Sequence, residues 1–126
     1  MTVVLDASAL LAFLHNEPGG DIVRDHLGKS IISTVNWCEV IQKCVERGVD
    51  TVGMAENFAT LGVRILPYTI TQAEIAGQLW LETRPLGLSL GDRSCLALGL
   101  EKKLPVLTAD KAWQSFNKGL EIRFIR

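Results

Sequence analysis

Histidine and cysteine are scarce in this 126-residue chain, with two of the first and three of the second. Cys38, Cys44 and Cys95 are odd in number and lack metal-ligand spacing. Neither a disulfide framework nor a Cys/His zinc site fits them, and they read as buried free thiols in a reducing compartment. A basic surplus is also missing: thirteen Lys and Arg stand against fourteen Asp and Glu, a net charge of −1. Nucleic-acid binders usually carry a positive excess, so the balance counts mildly against one. An acidic metal site would hide several positive charges in that sum. No apolar run reaches the length of a membrane span. The apolar stretch at the start is interrupted by Asp6 and has no basic leader, which argues against a signal peptide. Repeats, linkers and low-complexity tracts are absent. The expectation is a cytoplasmic protein of one domain, residues 1–126, with 48% apolar and 21% charged residues, an ordinary globular composition.

What is present begins at the N-terminus. Val3-Val4-Leu5 reads as a short strand buried on both faces, as central parallel strands are. Asp6 follows, and then an Ala/Leu-rich helix to Leu14. A carboxylate at the carboxyl end of a strand lies where open α/β sheets bind ligands. Further helices are expected from about Gly20 to Leu27, from Thr34 (as cap) to Arg47, and from Asp50-Thr51 to Gly62. On the second of these, Val35, Cys38, Ile41 and Val45 form the apolar face. Thr71 and Glu74 have capping-box spacing for a helix to about Thr83, and Ser89 begins one to about Lys103. Strands are expected at Ser30–Ser33, Val63–Leu66 and Val106–Thr108, and Leu120–Ile125 alternates as a terminal strand does. A short helix lies near Ala112 to Phe116. Strands alternating with helices predict an α/β fold with a mostly parallel central sheet of about five strands, flanked by helices.

In such a sheet, strand C-termini and helix N-termini share one edge. Asp6 and Asp110 directly follow strands, Asp92 lies in the first turn of its helix, and Glu39 lies early in the helix after the second strand. Asp21, Asp50 and Glu74 also lie near helix starts, so position alone does not select among them. Each of the four has a plain structural reading beside the functional one. Asp6 and Asp110 can cap helices, Asp92 can complete a box with Ser89, and Glu39 shares a side with Gln42, Lys43 and Glu46. Together, four converging carboxylates would raise one another's pKa unless cations intervene. A hard divalent ion such as Mg2+ or Mn2+ prefers oxygen donors and needs no His or Cys. The pattern points to metal-dependent phosphoryl chemistry.

Four stretches in this order resemble the PIN-domain ribonucleases, and within them the VapC-type toxins of toxin–antitoxin pairs. They are Val4-Leu5-Asp6-Ala7-Ser8-Ala9, Asn36-Trp37-Cys38-Glu39-Val40, Leu88-Ser89-Leu90-Gly91-Asp92-Arg93 and Val106-Leu107-Thr108-Ala109-Asp110. The resemblance spans nearly the whole chain. It implies a five-stranded parallel sheet, an acidic pocket for Mg2+ or Mn2+, and endonucleolytic cleavage of RNA leaving a 5′-phosphate and a 3′-hydroxyl. Asp6, Glu39, Asp92 and Asp110 would be the family's acids, with Ser8 and Thr108 tuning the site from behind. A homodimer and a cognate antitoxin covering the pocket are implied as well.

Lys43, Arg84, Arg93 and Lys111 are the candidates for RNA phosphate contacts, each with a solvated-surface reading beside it. Trp37 and Trp113 flank two of the acids and can be core or base-stacking aromatics, whereas Trp80 is expected in the core. Three rivals stand beside the nuclease. A phospho-acceptor signalling domain would want an Asp after the third strand, which ends in Leu66-Pro67. An aspartyl phosphatase would want an acid two residues after Asp6, where Ser8 stands. The third rival is an inactive PIN-like binding module, and within the nuclease reading the alternative to a toxin is an RNA-processing nuclease without an antitoxin.

Overall fold

The computed structural model describes residues 1–116 and 118–126. Five strands form one parallel sheet: β1 (Val3–Leu5), β2 (Ser30–Ser33), β3 (Val63–Leu66), β4 (Val106–Thr108) and β5 (Ile122–Phe124). Their spatial order is β3-β2-β1-β4-β5, every pair parallel. Seven α-helices are seen among the described residues: α1 (Ala7–Leu14), α2 (Gly20–His26), α3 (Thr34–Glu46), α4 (Met54–Thr60), α5 (Ile70–Gln78), α6 (Trp80–Thr83) and α7 (Leu90–Lys102). Single 3-10 turns cover Leu27–Lys29, Arg84–Leu86 and Lys111–Ser115.

Side chains alternate across a strand, so each inner strand feeds two cores. Val3 and Leu5 join Ile32, Val63 and Leu107 under α1 to α4, while Val4, Ile31 and Val106 join Leu96, Leu98 and Trp113 beneath α7. The chain winds outward from β1 to β3, then returns to lay β4 on the other side of β1. The strand order therefore reverses between β1 and β4, which is where open α/β sheets form a crevice. Register pairs Val4 with Val106 and Leu5 with Leu107, which brings Asp6 alongside Thr108.

Several local expectations are corrected. Ser33, the last residue of β2, caps α3 by accepting from the Val35 amide at 3.1 Å, while the Thr34 hydroxyl accepts from Tyr68 N. α4 starts at Met54 after Gly53, whose φ of 76° is left-handed; Asp50 instead accepts from Val52 N. Thr69, not Thr71, caps α5, with Gln72 as the donor. The buried side of α3 is Asn36, Val40 and Cys44, whereas Val45 is 64% exposed and Cys38 is also exposed. Trp80 is 46% exposed, outside the core. No helix among the described residues is long and apolar enough to cross a membrane.

Candidate metal centre

Four elements deliver carboxylates to one cleft of about 200 Å3 at the β1/β4 crevice: Asp6, Glu39, Asp92 and Asp110 line it, together with Ser8 and Asn36. The molecule has larger hollows, such as one of about 690 Å3 beside β3. The acids nevertheless gather in the smaller one. Asp21, Asp50 and Glu74, which pass the same positional test in sequence, are exposed and do not line it.

Asp6 is the buried member, 4% exposed. It caps α1 through Oδ1, which accepts from Ala9 N at 2.8 Å and from the Ser8 hydroxyl at 2.8 Å. Its Oδ2 accepts from Thr108 Oγ1 at 2.6 Å and from Ser8 Oγ at 2.9 Å. The two hydroxyls are themselves anchored: Ser8 Oγ accepts from Ala109 N at 2.9 Å and Thr108 Oγ1 from Asp110 N at 3.0 Å. The end of β1 is thus sewn to the end of β4 through Asp6. Burial nevertheless pushes the Asp6 carboxyl up to about 6, against the lowering effect of Thr108, Ala9 and Ser8, and the Asp92 charge adds to the rise.

The other three acids each keep one oxygen for structure. Asp92 Oδ2 accepts from Ser89 N at 2.9 Å while Ser89 Oγ accepts from Asp92 N at 3.2 Å, a complete capping box on α7. Asp110 Oδ1 accepts from Ala112 N at 2.9 Å, opening the 3-10 turn. Glu39 Oε1 accepts from Asn36 Nδ2 at 2.8 Å. Burial also raises the Asp92 pKa, opposed by Ser89 and reinforced by the Asp110 charge. Asp6 feels Asp92 and Asp92 feels Asp110, so like charges accumulate along the cleft.

Among the described residues none of the four takes part in a salt bridge. Their donor set is all oxygen, with a buried carboxylate that lacks a counter-charge, and that chemistry fits a hard divalent cation. Among the described residues no three His, Cys, Asp or Glu stand close enough together to cage an ion directly. Mg2+ typically takes one or two carboxylates and keeps several waters, so a closed cage is not what such a site requires.

The basic candidates are placed differently from one another. Lys43 lines the cleft and reaches Glu46 at 3.5 Å, an exposed pair of small energetic weight. Arg93 turns into the α5–α7 contact, where Nη1 donates to the Ala76 carbonyl at 3.0 Å. Arg84 lies 4.9 Å over the Trp80 ring, and the Lys111 ammonium 5.5 Å over Phe124. Trp113 is fully buried and Trp37 packs edge-on against Phe58, so neither flanks the cleft as a free stacking surface.

Two residues that touch Glu39 or border Asp92 escape a search for acids. Asn36 stands one helical turn before Glu39, and Gly91 directly precedes Asp92. A Cβ at Gly91 would fall 2.7 Å from Glu39 Cδ, inside any real contact distance. Gly91→Ala is expected to lower the melting temperature modestly, since leaving an N–H of the buried Asn36 amide unpaired costs about 1–3 kcal/mol against a helix-propensity gain of at most about 1 kcal/mol. It should also displace the Glu39 carboxylate, so that divalent ions stabilise the variant less than the parent in thermal melts.

An all-parallel α/β domain with an acidic cleft at its topological switch point is the class of molecule defined here. The family model of the PIN domain matches residues 3–119, and the chain belongs to that family. Solved structures of the same fold include a toxin–antitoxin complex from Klebsiella pneumoniae, at 17% identity and TM-score 0.77 over 99% of this chain and 98% of that one. DNA-bound VapBC from Salmonella typhimurium aligns at 17% identity and TM-score 0.74, covering 100% of this chain and 99% of that one. VapC20 of Mycobacterium tuberculosis, a sarcin-ricin loop cleaving toxin, aligns at 15% identity and TM-score 0.71, covering 95% and 99%. At these identities the likeness is one of fold. No curated protein matches the chain by sequence.

Proposed function

We propose that this protein, acting as one PIN domain over residues 1–126, is a divalent-metal-dependent endoribonuclease, the toxin of a toxin–antitoxin pair. The observation that carries the reading is the gathering of four carboxylates, unpaired by any described cation, at the β1/β4 crevice. Asp6 and Asp92 would hold the principal ion, with Glu39 and Asp110 acting through water or on a second ion. When bound, Mg2+ or Mn2+ supplies charge neutralisation at a phosphodiester and acidifies a water for in-line attack. Ser8 and Thr108 hold the Asp6 carboxylate at a fixed angle between β1 and β4. Lys43 is the cation at the cleft wall placed to meet an RNA phosphate. The Klebsiella and Salmonella assemblies of the same fold support an antitoxin partner for this chain; such a partner would cover the cleft, and a homodimer would present two of them.

The test is cleavage of end-labelled RNA by purified protein with Mg2+, beside Asp92→Asn and Asp110→Asn. Asp92→Asn should lose more than about 100-fold in rate, and Asp110→Asn at least the 10–100-fold that loss of an outer partner typically costs. Cleavage undiminished in both variants would remove the proposed mechanism.

A further inference from the structure

We propose that Asn36 is a positioning residue that fixes the Glu39 carboxylate against the first turn of α7, so that Glu39 offers its second oxygen to the metal cleft in a single orientation. Asn36 is 1% exposed. Its Nδ2 donates both hydrogens, to Glu39 Oε1 at 2.8 Å and to the Gly91 carbonyl at 3.0 Å. Its Oδ1 is buried with no partner. A buried orphan acceptor is unfavourable and calls for an explanation. An apolar side chain would fill the same volume without it, so the two donated hydrogens are what the amide contributes.

The geometry also says what those hydrogens do. Glu39 is a long, half-buried side chain that is otherwise free to choose among rotamers. Two constraints limit that freedom, the α3 backbone and the Asn36 amide one turn earlier, while the bare Cα of Gly91 leaves the room that the carboxylate occupies. Because Asn36 holds Gly91 by its carbonyl, the carboxylate and the helix start that carries Asp92 are tied to one amide. The Gly91 carbonyl anchors the amide, and through it the Glu39 carboxylate, to α7, while Asp92 is set by its own capping box with Ser89. An outer residue of this kind tunes a metal site through the ligand it orients.

This inference rests on the metal-dependent reading above, and calorimetric titration of the full chain with Mn2+, without RNA, separates the two. The proteins compared are the parent, Asn36→Ala, Glu39→Gln and the double variant, each with its melting temperature. Asn36→Ala should weaken Mn2+ binding 10–100-fold in the parent background and by less than about twofold once Glu39 is Gln, because the residue acts through that carboxylate. Asn36→Ser, smaller in its volume change and too short to reach Glu39 and Gly91 together, should show the same loss if the alanine variant folds poorly. A folded Asn36 variant that binds Mn2+ like the parent overturns the inference. So does an equal loss in both backgrounds, which would make Asn36 a simple tie between α3 and α7. A parent that fails to bind Mn2+ overturns the metal reading itself.

Discussion

Asp6→Asn is expected to stabilise the metal-free protein at pH 7.5 by up to roughly 3 kcal/mol while abolishing cleavage, the figure being the rise from 3.8 to about 6 at 1.36 kcal/mol per unit. The sign follows from linkage. A carboxyl whose folded pKa lies above its unfolded value favours the fold most when neutral. Its contribution is complete below pH 3.8 and is lost as pH rises to about 6. An amide at position 6 stays neutral throughout. The surrounding network can accept it: Ser8 Oγ and Thr108 Oγ1 each accept one backbone N–H and retain a second lone pair for an amide donor. The Ala9 amide keeps its acceptor in the Asn carbonyl. Urea denaturation in EDTA at pH 7.5 and at pH 4 checks the expectation, with the gain large at the first and small at the second. A variant less stable than the parent at pH 7.5 would mean that the hydrogen bonds to the carboxylate outweigh its burial.

That trade explains how much of the site the sequence disclosed. Capping and site membership of an acid look like alternatives on paper, yet a carboxylate has two oxygens. Asp92 and Asp110 each cap with one, and Asp6 caps while facing the cleft. Strand and helix alternation was legible because Val3–Leu5 and Val106–Thr108 are short apolar runs beside acids. The position of β4 next to β1 was not legible, since sheet order depends on where the chain crosses over after β3. Counting apolar residues failed wherever a polar residue is buried with a partner. Asn36 displaced Val35, Cys38 and Val45 from the buried side of α3 by bonding Glu39 and Gly91. Gln72 and Thr83 did the same next to Trp80. Gln72 donates to Glu101 at 2.8 Å and Thr83 to the Leu79 carbonyl at 2.7 Å, so the buried stripe runs through Gln72, Ala76, Leu79 and Thr83 and leaves Trp80 outside.

Divalent metal should flatten the pH dependence that Asp6 imposes on the bare protein. Without metal, the Asp6 contribution to stability increases as pH falls from about 6 towards 3.8. With metal, protons compete for the same oxygen atoms, and an ion that requires the ionised form loses about tenfold in affinity per pH unit below the pKa. At a Mn2+ concentration of about 100 times Kd, binding stabilises the fold by about 2.7 kcal/mol at pH 7.5. At pH 5, one unit below the Asp6 value of about 6, the same concentration should supply only about half of that. Asp92, also raised by burial and by its acidic neighbour, steepens the decline. Thermal melts at pH 5, 6 and 7.5, each with EDTA and with MnCl2, measure the difference directly. The metal-induced rise in melting temperature should shrink steadily towards pH 5, and EDTA should abolish RNA cleavage at every pH. A rise that is the same at all three values, or largest at pH 5, would mean that the ion is not held by carboxylates of this kind.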